Sequence, residues 1–244
     1  MVFFIVGVFL KKQKKALNMT PAEANVPPSL RTRVRRVAHR GQYDRVTLHA
    51  LLDEAYVCHV AFADEHGVHC IPTACWREGD YLYIHGSNGS RMLKLAASGA
   101  QVCVTVTHLD GLVLARSAFN HSMNYRSAVI YGSFEAVPDD HKAAALDAFL
   151  EGIMPGRSQD VRAGNAKELA ATTVLRIALA EAACKTRTGG PKDDEEDMGL
   201  AVWAGVLPMA LSPLAPIVDE AASGMETPEY VREWQEGIRS ATVE

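Results

Sequence analysis

The spacing of hydrophobic and polar positions changes along the chain, and the changes mark out its elements. Tyr56–Ala63 and Val68–Trp76 read as two strands joined by the turn Asp64-Glu65-His66-Gly67. Arg77–Asp80 turns the chain into a third strand, Tyr81–His85. Gln101–His108 alternates, with Val102, Val104 and Val106 on one face and Cys103, Thr105 and Thr107 on the other. Asp110-Gly111 is a turn signal, after which Leu112–Ala115 resumes an apolar run. Phe119–Asn124 is irregular, Tyr125–Val137 reads as one long strand, and Thr172–Leu179 as the last strand. Helical spacing is confined to short stretches. Thr47 caps a helix through Leu48, Leu51 and Leu52; Ser90 opens Arg91–Ala97, which Gly99 ends; Asp139–Leu150 and Lys167–Ala171 follow. Val202–Leu211 is apolar again, but Pro208, Pro213 and Pro216 prevent a long helix there. Short strands between tight turns predict antiparallel hairpins, a sandwich or a barrel.

Composition adds boundaries to this picture. The 244 residues are 48% hydrophobic and 22% charged, enough apolar material for a sizeable core. The net charge of −4 does not favour nucleic acid, so a phosphate ligand needs a local cluster of donors. Five cysteines without a CxxC pair do not form a disulfide framework. His69, Cys70 and Cys75 suggest a metal site, but neighbours on a strand alternate between faces, and no metal site is expected. The apolar run Val2–Leu10 is too short to span a bilayer, and its lysines follow it, unlike those of a secretory signal. Residues 1–28 are read as a disordered extension with a second possible start at Met19, residues 29–215 as one domain, and 216–244 as a tail. The expectation is a soluble, cytoplasmic protein with no membrane partner.

Two segments carry chemistry. In Tyr83-Ile84-His85-Gly86-Ser87-Asn88-Gly89-Ser90-Arg91-Met92 a strand enters a small-residue loop, which enters a helix start. Small residues allow close approach of a ligand, and unpaired helix-start N–H groups suit an anion. Ser90 adds a hydroxyl and Arg91 a two-pronged cationic donor. The same pattern also describes a capped helix with a surface arginine. In the second segment, Ser117 to Ser127, polar, aromatic and cationic residues crowd before a strand. Tyr125, Arg126 and Ser127 supply the donors and platform that a flat heteroaromatic ring needs, though a polar loop at a barrel end has the same composition. The arginines Arg31, Arg33, Arg35, Arg36, Arg40 and Arg45 form either a solvated arm or one that reaches a phosphate or a partner subunit.

Taken together, the strand–HGSxxSR–helix pattern, the run Asp110 to Ser127 and the strand ending Tyr131-Gly132 resemble the flavin-nucleotide-binding branch of the pyridoxamine-5′-phosphate-oxidase-like proteins, which is similar to the nitroimidazole-resistance proteins. The resemblance extends through Ala183–Arg187 and Val202–Pro208. It implies a mainly β, six-stranded antiparallel Greek-key split barrel with flanking helices, dimeric, holding FMN between subunits. It further implies that Gly86, Ser90 and Arg91 hold the phosphate, that Thr73 faces the ring edge, that His85, Tyr125, Arg126 and Ser127 contact the flavin, and that Trp203 covers it. Met92 stands where the oxidases have a lysine, and the strand Cys70–Trp76 carries none of their basic residues. Their substrate-binding pattern at the C-terminus is also missing, which argues against pyridoxamine-phosphate oxidation itself. The expected function is an FMN-dependent oxidoreductase of a small molecule, with His85 the candidate acid or base. The alternatives are a non-enzymatic flavin module, or a haem-binding protein using His85 or His121.

Overall fold

The computed structural model describes residues 25–234. Of the extension expected over residues 1–28, the part up to residue 24, including the possible start at Met19, lies outside them, as do the last residues of the tail, 235–244.

The first helix, α1 (Arg45–Asp53), starts one turn earlier than expected. Asp44, not Thr47, is its cap: the Asp44 carboxylate accepts the Thr47 backbone N–H at 2.8 Å. Leu48, Leu51 and Leu52 then point inward. The hairpin strands follow as β2 (Val57–Asp64), β3 (Gly67–Glu78) and β4 (Tyr81–Ser87), and α2 (Arg91–Ala97) follows β4. The Asp110-Gly111 signal is a bulge rather than a turn: β5 runs unbroken from Gln101 to Leu114, with a register shift between Leu109 and Gly111. Conversely, the run from Tyr125 to Val137 divides. β6 (Ser122–Ser133) stays beside β5, whereas β7 (Glu135–Ala136) pairs with β8 (Thr172–Ala178). Gly132, at φ 151°, lies where the chain prepares to leave the first pairing. After α3 (Asp139–Ile153) and α4 (Ala166–Ala171), β8 is not the last strand. β9 (Ala182–Arg187) pairs with β6, and β10 (Gly205–Pro208) pairs with the far half of β5. β9 was obscured because Cys184 alternates there with Lys185 and Arg187 in a stretch of mixed polarity.

With β1 (Gly41–Gln42) the strand order is β1-β9-β6-β5-β2-β3-β4-β8-β7, all neighbours antiparallel, and β10 joins β5. This is an open, split barrel, with ten strands rather than six because short edge strands extend it. Alternation fills its interior: Cys58, Val60 and Phe62 from β2, Val102, Val104 and Val106 from β5, Leu82 and Ile84 from β4, Leu175 and Ile177 from β8. α1 and α2 close the two ends of this core through Leu52 and Leu93. A smaller core lies on the other side of β3, β4 and β8, where α3 covers Trp76, Tyr83 and Val174. No helix among the described residues is long and apolar enough to cross a membrane.

Candidate functional site

The Ser90–Arg91 loop is built as a rigid seat. A side chain at Gly86 would meet the Leu93 methyl at 2.9 Å, so the glycine lets α2 pack closely against the end of β4. Ser87 accepts the Gly89 N–H at 3.2 Å, and Ser90 accepts the Leu93 N–H at 3.3 Å as the helix cap. Asn88 fastens the loop to α4 and β8: its amide donates to the Ala170 carbonyl at 2.7 Å, and its side-chain oxygen accepts the Thr173 hydroxyl at 2.8 Å. The Arg91 side chain is 58% exposed and lies 3.5 Å from Asp64.

His69 and Asp64, which the sequence did not connect with Arg91, complete this end. His69 Nε2 donates to Asp64 at 2.9 Å, stacks on Phe62 at 5.1 Å, and turns Nδ1 toward Arg91 at 3.5 Å. The His69 hydrogen bond and the His66 backbone N–H hold the Asp64 carboxyl below its ordinary range. Asp64 reads as a turn residue and His69 as a strand residue; only the β2–β3 register brings them to Arg91.

The second segment stands elsewhere. Arg126 is gripped by two carboxylates: Glu54 accepts from Nη1 at 2.8 Å, and Asp110 accepts from Nη2 at 2.9 Å. These bonds, Asp110's first, hold the guanidinium well above its ordinary pKa. Ser127 donates to the Lys185 carbonyl at 3.2 Å, and Tyr125 pairs with Leu109 and Arg187. Arg126 reaches Glu54 just before β2, and Arg91 reaches Asp64, the last residue of β2. The two segments are thus separated by the length of an eight-residue strand, on the order of 20 Å or more.

His85 lies on the same face of β4 as Tyr83, and that face is not open to the loop. α3 covers it, and the imidazole packs between Trp76 at 5.7 Å and Phe149 at 4.5 Å. Its Nδ1 is buried without a partner, and burial pushes its pKa below the ordinary value of 6.5. Thr73 stands opposite Cys58, half-buried on the core side of the sheet. Trp203 is 63% exposed and rests on Gly205, where a side chain would strike the indole at 2.9 Å. A cleft of about 310 Å³ between α1, β3 and α3 is lined by Tyr56, Trp76 and Phe149, and a more polar one of about 610 Å³ lies between Pro155 and Tyr230. Neither includes Arg91 or Tyr125.

The chain matches the model of the pyridoxamine 5′-phosphate oxidase family over residues 44–186. No curated protein matches it. Among solved structures, the flavocytochrome Anf3 from Azotobacter vinelandii is 40% identical, covering 85% of this chain and 97% of its own, with a TM-score of 0.81. The FAD and heme binding protein from Mycobacterium smegmatis is 39% identical over 80% of this chain and 97% of its own, with a TM-score of 0.77. A putative 5-nitroimidazole antibiotic resistance protein from Bacteroides thetaiotaomicron shares the fold at 20% identity, covering 59% of this chain and 85% of its own, with a TM-score of 0.50. The open antiparallel barrel, the Gly86–Arg91 seat and these matches lead to one statement: the chain belongs to the pyridoxamine-5′-phosphate-oxidase-like split-barrel family.

Proposed function

We propose that the chain is a flavin-binding redox protein of the flavocytochrome type, with the flavin lying between two copies of the chain. The observation that carries this reading is the whole-chain similarity, at 40% and 39% identity, to two proteins described as a flavocytochrome and as an FAD and heme binding protein. The second description names FAD, where the family resemblance implies FMN. The seat fits a flavin phosphate. Arg91 is exposed and its carboxylate contact is loose at 3.5 Å, so it has donors to offer an anion. Ser90 and Ser87 accept backbone N–H groups and keep their hydroxyl protons free to donate. A flavin that touches both Arg91 and the Tyr125–Ser127 segment needs a second protomer, because one protomer holds them apart by a strand length. The bound flavin would supply the electron transfer, and the protein orients it and excludes water.

A haem site has its own support. His121 Nδ1 donates to the Ser117 carbonyl at 2.9 Å, which leaves Nε2 as the basic nitrogen, the arrangement that orients a metal-ligating imidazole. Phe119 and Met123 flank it, 93% and 52% exposed, and offer an apolar bed for a porphyrin. Here His121 would hold the iron, since His85 is shut under α3 against Phe149.

The absorption spectrum of the purified protein tests both parts, with the released flavin identified by chromatography. Flavin bands with a Soret band support the full reading. A colourless protein that takes up neither cofactor overturns it. His121→Ala is expected to lose the Soret band and keep the flavin. Reduction of the bound flavin by a nicotinamide donor separates an oxidoreductase from a storage or sensing module.

A further inference from the structure

Arg187 ends β9 and is 5% exposed. All of its hydrogen bonds go to neutral oxygens: the Asn124 side chain, the Gly189 carbonyl at 3.3 Å and the Gly190 carbonyl at 3.2 Å. The more exposed Arg77, Arg116, Arg126 and Arg176 each hold a carboxylate. Arg187, the most buried of these, holds none among the described residues. A guanidinium cannot shed its proton, and a buried charge that meets only neutral acceptors keeps most of its desolvation cost. A second cation makes the imbalance worse. Arg40 precedes Gly41, which pairs with Lys185 two residues before Arg187. Burial first, and then the charge of Arg40, weakens the hold of Arg187 on its proton.

The hydrogen bonds hold the guanidinium beside Asn124, Gly189 and Gly190, and the register gives the face from which its side chain starts. Arg187 pairs with Tyr125 and Lys185 pairs with Ser127, so both basic side chains leave the sheet on the face of Tyr125 and Ser127. Arg126 leaves on the opposite face and is occupied by Glu54 and Asp110. Arg187, with Lys185 two residues away on the same face, is therefore the buried cation at this end of the sheet that no carboxylate meets among the described residues. It lies a strand length from Arg91, so one phosphate on one protomer cannot serve both.

We propose that Arg187, with Arg40 beside it, is an oxyanion subsite that takes an acidic group of a bound cofactor, a flavin phosphate or a haem propionate. The proposal rests on the flavin and haem reading above, and its test separates the two sources. The full-length chain and its Arg187→Gln, Arg187→Lys and Arg40→Gln variants are titrated with FAD, riboflavin, protohaem and protohaem dimethyl ester, in which both carboxylates are capped. If a flavin phosphate is the anion, Arg187→Gln weakens FAD roughly ten- to hundredfold and leaves riboflavin within about twofold. If a propionate is the anion, protohaem weakens by the same factor and the ester does not. Either result supports the subsite, as does retention of most affinity in Arg187→Lys and a smaller loss in Arg40→Gln. Equal losses for charged and capped ligands overturn it, because Arg187 is then structural. Unchanged affinity for all four ligands overturns it too. So does loss of the dimer in Arg187→Gln with ligand discrimination intact, which assigns the charge to a carboxylate of the second copy. If the parent chain binds neither flavin nor haem, the function proposed above fails, and inorganic pyrophosphate still tests the subsite. It should raise the Tm of the parent and not of Arg187→Gln; equal shifts overturn the proposal.

Discussion

The imidazole of His85 is wedged between Trp76 and Phe149 with a buried, unpartnered Nδ1, and it titrates below 6.5 because burial disfavours its charged form. The unfolded chain therefore takes up the proton first as pH falls. The stability that this neutral side chain contributes is complete above about 6.5 and is lost as pH drops below it. Thermal melts between about pH 8 and about pH 5 should show a shallower decline for His85→Phe than for the parent. Equal slopes would pass the effect to His49, whose imidazole burial also lowers. Arg91 poses the opposite case, a charged group at the surface. One charge-assisted hydrogen bond to a phosphate is worth about 1.5–3 kcal/mol, so Arg91→Ala should weaken FAD binding roughly ten- to hundredfold with the fold intact. Titration against riboflavin is the control; identical FAD affinity in parent and variant would move the phosphate elsewhere.

Among the elements, β5 is the one on which the others depend. Its first half pairs with β2 and its second half with β10 on the same edge, while β6 runs along the other edge. The bulge at Leu109/Gly111 falls between the two partners. A side chain at Gly111 would lie 2.9 Å from the Leu207 carbonyl oxygen, a backbone atom with no room to retreat. Gly111→Ala should cost about 1–3 kcal/mol, or ~2–4 °C of Tm for each kcal/mol, and should loosen β10 together with Trp203. Hydrogen exchange confined to β10 would show this, and an unchanged melt would refute it. The acidic stretch after β9 is fastened to the end of β5 through Asp193 and Arg116. It reads as an exposed loop, yet Asp193 is only 1% exposed, accepts the Arg116 backbone N–H at 2.8 Å and pairs with the Arg116 guanidinium at 3.0 Å. Those bonds outweigh its burial and hold its carboxyl below the ordinary 3.8. Their stabilisation is present above that value and fades as pH falls through the lowered one; Asp193→Asn should remove this acid sensitivity in a melt.

For the whole molecule, the separation of Arg91 from the Tyr125–Ser127 segment is the ground on which a dimeric loaded protein is proposed. The outer face of β2 and β5 is consistent with this, since Val57, Leu109 and Leu112 are exposed on a single protomer. Light scattering of the flavin-loaded protein should give twice the chain mass, and a stable loaded monomer would contradict it. The local reading recovered the first three hairpin strands, α2 and the inward set Val102, Val104 and Val106, because side-chain alternation and helix caps act within a few residues. It also recovered the strand, loop and Ser90-capped helix around Gly86–Arg91, since these are contiguous in the chain. It could not see which element would cover each face. Periodicity placed His85 opposite Ile84, but only the position of α3 decided that His85 would be buried against Phe149. The arginine beside Tyr125 was legible as a cation, while its capture by Glu54, 72 positions away, and Asp110 was not. Arg187 falls after the last strand that the sequence predicts, and only the pairing of β9 with β1 and β6 decided its burial. Sequence alone determined which residues alternate, cap and turn, because those preferences are local. The tertiary structure decided which charges are spent and which remain for a ligand, because partners are assigned by strand order and register among residues far apart in the chain.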